Sequence, residues 1–330
     1  MSAHPSASPP GPGLLEQLFR RRLVVVMGKG GAGKTTVSAV LARLAARSGR
    51  RVLLVELGGA RALARLLGVG SPDYRPLPVG HGAWLLSMDA HAALEDYLLR
   101  QLRLRSLYRL AFRNRWVGPF MDAIPGLPDL IQLGKVWDLL QEQEEGRSRW
   151  DLVVLDAPAT GHGLGLLAAP RSMMELTGSG PFHANARKVH ELLADPAQTA
   201  VLLCALPEPL PVNEAFELAR ALADAHFQLT ACVLDQLHEP PFSPLEAWPL
   251  ARPSLAALPG PAWAEALALT DHRVASARRQ AESERRLRAG LGVPVLGLPW
   301  APSEARGGRD LGRLADRLAA AAGAPTPEAP

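Results

Sequence analysis

Hydrophobic residues fall into two alternating rhythms along the chain. Short unbroken apolar runs begin with Leu23-Val24-Val25-Val26-Met27 and recur at Val52–Leu57, Trp84–Met88, Leu152–Leu155, Ala200–Ala205, Leu229–Leu234 and Val293–Leu298. Runs of this length without polar alternation predict strands buried on both faces. Between nearly all of them the apolar positions respace at threes and fours, as in Val37, Val40, Leu41, Leu44 and Ala45, which predicts helices. The alternation predicts an α/β fold with a doubly wound, mostly parallel sheet of about seven strands and ligands outside the strands' carboxyl ends. The longest departure, about 89–146, predicts a helical subdomain inserted between strands, with an apolar set of Leu94, Tyr97, Leu98, Leu102, Leu107, Tyr108, Phe112, Trp116 and Phe120. Helix packing alone explains that spacing; a groove for a client protein is the alternative.

Composition narrows the class. The 330 residues are 48% hydrophobic, enough to bury a full core, and no composition shift marks a domain boundary. Residues 14–322 therefore read as a single domain, and the Pro-, Ser- and Gly-rich segments 1–13 and 323–330 as disordered tails. Residues 1–13 lack the apolar run of a signal peptide, and no stretch approaches the roughly 20 apolar residues that span a bilayer, so a cytoplasmic protein is expected. Cys204 and Cys232 have no CxxC spacing and lie in strand-like runs, which suits buried thiols. The net charge of +4 comes from arginines spread along the chain. The densest group, Arg273, Arg278, Arg279, Arg285, Arg286 and Arg288, has Glu282 and Glu284 interspersed and reads as a solvated helix face, so no nucleic-acid partner is expected.

One motif stands out against this background. Of 36 basic residues only four are lysine, and two of those, Lys29 and Lys34, lie in Gly28-Lys29-Gly30-Gly31-Ala32-Gly33-Lys34-Thr35-Thr36. This matches G-x-x-x-x-G-K-[ST], a phosphate-binding loop, and the required strand and helix flank it. The backbone N–H groups of such a loop cradle phosphates, its lysine reaches the outer ones, and its hydroxyl holds Mg²⁺. Retention of lysine in an arginine-biased chain indicates a need for compact ammonium groups. A second acidic element is supplied by Asp156, at the tip of Trp150-Asp151-Leu152-Val153-Val154-Leu155-Asp156.

The segment Ala157-Pro158-Ala159-Thr160-Gly161-His162-Gly163 resembles the second switch of one branch of P-loop ATPases. Together with Lys29 it makes the chain similar to the ArsA-like ATPases, which include arsenite-pump ATPases and ATPases that target tail-anchored membrane proteins. Pro125-Gly126-Leu127 with Asp129, Leu133 to Trp137, Pro207 to Glu214, and Leu298-Pro299 through Arg306 resemble further family segments in order. The resemblance implies a P-loop NTPase fold, ATP and Mg²⁺ as cofactors, and a dimer, either of identical chains or with a paralogue. It implies that Lys34 contacts the β- and γ-phosphates, Thr35 binds Mg²⁺, Thr36 holds the α-phosphate, and Asp156 supports the metal. Gly28, Gly30, Gly31, Ala32 and Gly33 would line the phosphates, Asp235 and Pro299 the base, and Lys29 would reach the neighbouring subunit's site.

Two departures from the family bear on activity. Gly58 stands where a water-positioning aspartate is usual, in Val55-Glu56-Leu57-Gly58-Gly59-Ala60-Arg61. Glu56, two residues earlier, shares a strand face with that position and is either a replacement base or a structural group. Asp235 replaces an asparagine that pairs with adenine; a carboxylate accepts from the amine but does not donate to the ring, and it suits guanine equally. Two isolated cysteines do not make an arsenite site, and the stretch between the second switch and Ala200 is shorter than a targeting ATPase's client lid. Leu311, Leu314 and Leu318 predict a C-terminal helix that docks on the sheet rather than on a membrane. The sequence thus supports an ATPase switch acting on a protein client or membrane partner, or else a nucleotide-gated binding module with negligible hydrolysis.

Overall fold

The computed structural model describes residues 13–58, 61–70, 72, 74–102, 124, 126–241, 245, 247–256, 260–301 and 308–323. Nearly all of both expected tails falls outside these residues. Helix α1 (Leu14–Phe19) leads into β1 (Leu23–Gly28), α2 (Lys34–Arg47), β2 (Val52–Leu57), α3 (Ala62–Leu67), β3 (Leu77–Gly80), β4 (Ala83–Met88) and α4 (Ala90–Leu102). The chain resumes with α5 (Leu127–Gln141), a small hairpin of β5 (Gln143–Glu144) and β6 (Arg147–Ser148), β7 (Leu152–Asp156), α6 (Thr160–Thr177), α7 (Pro181–Ala194) and β8 (Thr199–Ala205). It ends with α8 (Pro209–Asp224), β9 (Leu229–Leu237), α9 (Ala247–Ala256), α10 (Pro261–Gly290), β10 (Val295–Pro299) and α11 (Gly308–Ala321).

The main sheet has the order β10-β9-β8-β1-β7-β2-β4-β3, and every pairing is parallel except β3 with β4. Its eight strands comprise the seven expected and one more, β3, hidden by its Pro78, by Pro76 just before it and by its four-residue length. Proline lacks the ladder donor, which is tolerable on an edge. The parallel strands read as solid apolar runs because helices cover both faces. Leu23, Val25 and Met27 of β1 join a core with α5 to α8 residues Leu130, Leu133, Leu166, Val189 and Leu218. Val24 and Val26 join the opposite core, built with Val40 and Leu41 of α2 and Leu314 and Leu318 of α11.

The helix at α11 docks as expected, with Leu311, Leu314, Ala315, Leu318 and Ala319 all buried in that second core. No helix among the described residues is long and apolar enough to cross a membrane. In the expected helical insertion, α4 and α5 are helices joined by an ion pair of Lys135 and Asp96 at 2.6 Å. The stretch 142–148 forms the hairpin instead of continuing the helix. Of the apolar set expected there, Leu94 is buried, and the other side chains lie outside the described residues.

Strand β1 sits between β7 and β8, so the chain leaves it toward β2 on one side and later returns to β8 on the other. That reversal opens a crevice at the carboxyl end of β1, where ligands of doubly wound sheets bind.

Candidate phosphate-binding site

The loop at the end of β1 occupies this crevice, and its shape follows from its glycines. Gly28 has φ 148°, and a Cβ there would lie 2.4 Å from the carbonyl oxygen of Cys204 on the neighbouring β8. Gly33 has φ 83° and caps α2 in the left-handed region, and its missing side chain makes room for the Asp235 carboxylate, whose Oδ2 would be 1.7 Å from a Cβ. Gly31 also has φ 83°, whereas Gly30 has an ordinary backbone, and a Cβ there would lie in van der Waals contact with Ala159 of the second-switch segment at 3.9 Å. With these turns the chain wraps back on itself: Ala32 N donates to the Lys29 carbonyl at 3.2 Å, and Lys34 Nζ donates to the same oxygen at 2.9 Å. Lys34, Thr35 and half-buried Thr36 form the first turn of α2, where a helix leaves its backbone N–H groups without partners of its own and anions bind.

Asp156, the last residue of β7, lies level with Val26 of β1 and with Glu56 of β2. It is 6% exposed and accepts hydrogen bonds from Thr35 Oγ1 at 2.8 Å and Ser38 Oγ at 3.2 Å. Burial pushes its carboxyl up to about 6, against the Thr35 hydrogen bond, the Lys34 charge and the Ser38 hydrogen bond, while the Glu56 charge adds to the rise. Burial lowers Lys34 from the usual lysine value, and Asp156 opposes that. A buried hydroxyl and carboxylate oxygen together form a hard-oxygen donor set of the kind that suits Mg²⁺. A cation there would supply the positive charge that Asp156 lacks.

Glu56 is more deeply buried, at 2% exposure, and its oxygens are engaged. Oε1 accepts from the backbone N–H groups of Ala62 at 2.6 Å and Leu63 at 3.2 Å, and Oε2 accepts from Ser87 Oγ at 3.4 Å. It therefore anchors the start of α3, just beyond the turn at Gly58. Asp235 is buried at the end of β9 against the loop, and its neighbour Gln236, at φ 63°, donates from Nε2 to the Gly31 carbonyl at 3.2 Å. Pro299 ends β10 opposite Leu237, and Trp300 follows, stacked on His238 with ring centroids 5.2 Å apart. Lys29 is ion-paired with Glu214 of α8.

The sequence-predicted residues other than Glu56 thus gather around one loop, with Pro299 at the adjoining strand end, while Glu56 lies beside Asp156 and holds the start of α3. Three participants were missed. Ser38 was legible in principle, one helical turn after Thr35. Gln236 and Glu214 reach the loop from distant elements and left no local signal. The His162 side chain lies outside the described residues. Cys204 and Cys232 are free thiols that enter opposite cores of the sheet, so they do not converge. Burial raises both, Cys232 to about 12. The other two lysines lie over aromatic rings, Lys135 over Tyr74 at 5.5 Å and Lys188 over Trp137 at 5.1 Å, so lysine in this chain is not confined to the loop.

Known proteins similar to this chain are ATPases. Residues 21–179 match the family described as anion-transporting ATPase. The ATPase BagA of Mycobacterium tuberculosis is 34% identical over 222 residues, covering 65% of this chain and 65% of its own length. The ATPase GET3 of Lachancea thermotolerans is 23% identical over 249 residues, 65% of this chain and 71% of its own, and the ATPase ASNA1 homolog 1 of Paramecium tetraurelia is 26% identical over 152 residues, 46% and 44%. The chain spans just under two thirds of the length of the mycobacterial relatives it matches.

Proposed function

We propose, from the match of residues 21–179 to the anion-transporting ATPase family, that this chain is an ArsA-like P-loop ATPase that binds ATP with Mg²⁺ and hydrolyses it as a dimeric switch that handles a protein client or membrane partner. The observation that carries the reading is the cluster of Lys34, Thr35, Ser38 and Asp156 at the crevice beside β1. Nucleotide phosphates would displace Lys34 from the Lys29 carbonyl and take its ammonium at the β- and γ-positions. The amides of Gly30 to Thr36 would surround the phosphates, with Thr36 at the α-phosphate. Thr35 would contribute its hydroxyl to Mg²⁺ and Asp156 would support the metal through it. When bound, Mg²⁺ supplies charge neutralisation at the phosphates. Asp235 and Pro299 would border the base.

Lys29 would act across the dimer, adding a cation to the neighbour's γ-phosphate, a role worth about 10³ to 10⁵ in rate where arginine plays it. Similarity to GET3 and BagA supports a nucleotide-driven ATPase, and the client reading rests on that kinship alone. We place the protein in the cytoplasm.

A second reading has its own observation. Gly58 lacks a side chain, and Glu56 is committed to the amides of α3, so among the described residues no unengaged carboxylate stands at the end of β2. A nucleotide-gated module with negligible hydrolysis, paired with an active paralogue, would have such a site. Phosphate release by the purified chain with Mg·ATP, alone and mixed with a paralogue, separates the two. Turnover by the chain alone supports the ATPase, and turnover only in the mixture supports the module. Absence of nucleotide binding would reject both.

A further inference from the structure

The two ammonium groups of the loop are held in different ways. Lys34 turns inward onto the loop's own carbonyl, whereas Lys29 leaves the loop and pairs with Glu214, 185 positions along the chain. Glu214 sits on the first half of α8, its side chain 19% exposed against 56% for Lys29. The pair borders a cleft of about 250 Å³ formed by Ala32, the end of β8 at Leu203 to Ala205, and Ala215 and Leu218 of α8. The residue before it, Asn213, accepts from Arg286 of α10 at 2.9 Å, so this part of α8 is tied from behind as well.

An ammonium paired at home is not available to a neighbour. We propose that Glu214 is the positioning residue for Lys29: it keeps that cation in its own subunit until nucleotide-driven closure of two subunits transfers it to the neighbour's phosphate. This rests on the reading of Lys29 as a cation lent across a dimer. The strength of the contact suits a latch. Partly exposed ion pairs shift an equilibrium by about fivefold at most, so the pair biases the open state without resisting a triphosphate and Mg²⁺. Because Asn213 and Glu214 adjoin, release of Lys29 also changes the load on the α8–α10 contact, which gives the switch a route from the loop to a long surface helix.

The test is a double-mutant cycle read as self-association. Sedimentation velocity over a concentration series, with Mg²⁺ and a non-hydrolysable ATP analogue, is run on wild type, Glu214→Gln, Glu214→Asp, Lys29→Ala and the Lys29→Ala/Glu214→Gln pair. Calorimetry of the same analogue accompanies each protein. Glu214→Gln is expected to tighten nucleotide-dependent association about two- to fivefold. Glu214→Asp restores wild-type behaviour, and the Glu214→Gln effect vanishes once Lys29 is absent. An unchanged association in Glu214→Gln, or the same change in the Lys29→Ala background, overturns the latch while nucleotide uptake stays intact. Wild type that binds the analogue and stays monomeric also overturns it. Failure of every protein to take up the analogue removes the nucleotide reading itself, a distinct result.

Discussion

Two buried carboxylates face each other in register near the carboxyl ends of neighbouring parallel strands, Glu56 on β2 and Asp156 on β7, and their surroundings differ in kind. Glu56 is bound by backbone: two amides at the start of α3 and one serine hydroxyl satisfy it. Asp156 is bound by side chains alone, Thr35 and Ser38, with Lys34 nearby, and its carboxyl sits high at about 6. We read a carboxylate that captures main-chain donors as serving the fold, and one buried without enough positive charge as a group suited to support a cation. Position along the strand ends does not separate the two residues; their donors do.

The contrast is open to direct attack, beginning with the largest effect. Lys34→Ala should reduce phosphate release about a hundredfold or more, since it removes the charge that stabilises the transferred phosphoryl group. A fall of only a few-fold would move the chemistry away from this loop.

Asp156→Asn should abolish Mg²⁺-dependent turnover and at the same time strengthen the nucleotide-free fold. The sign follows from linkage: the folded carboxyl is raised above its ordinary value, so its favourable contribution is complete below about 4 and is lost as pH rises through about 6. At pH 8 the burial costs on the order of 3 kcal/mol, which asparagine removes. Urea melts at pH 5 and pH 8 should show wild type losing stability between them and the variant losing less. Equal losses would mean that Asp156 is not the strained group.

Glu56→Ala should cost about 2 to 3 kcal/mol in the same melts, because it leaves one buried and one part-buried amide without their charged acceptor. Glu56→Gln keeps one acceptor oxygen and should retain turnover within about twofold. A drop near 10² with nucleotide binding intact would instead make Glu56 a general base. The smallest effect concerns the base: Asp235→Asn should raise ATP affinity relative to GTP about five- to tenfold in competition titrations, the worth of about one hydrogen bond. An unchanged ratio would place the base elsewhere.

How much of this was readable beforehand depended on distance along the chain. The loop, its strand and its helix are contiguous, so glycine spacing and apolar period specified them, and Asp156 was marked by the solid run before it. Edge strand β3 was hidden because Pro78 within it, Pro76 before it and its short length erase the strand pattern. The engagement of Glu56 was hidden because the α3 amides that bind it depend on the turn that follows β2. Glu214 was quoted only as part of a resembling segment. Its contact with Lys29 arises from the placement of α8 beside β8 and β9, which local pattern does not encode.

The central claim is that the glycine-rich loop at β1 takes up magnesium-bound triphosphate. Isothermal calorimetry of Mg·ATP into folded wild type and Lys34→Ala tests it most directly. Saturable, Mg²⁺-dependent heat in wild type that is lost in the variant is the predicted result. Folded wild type giving no heat with either ATP or GTP would contradict the account.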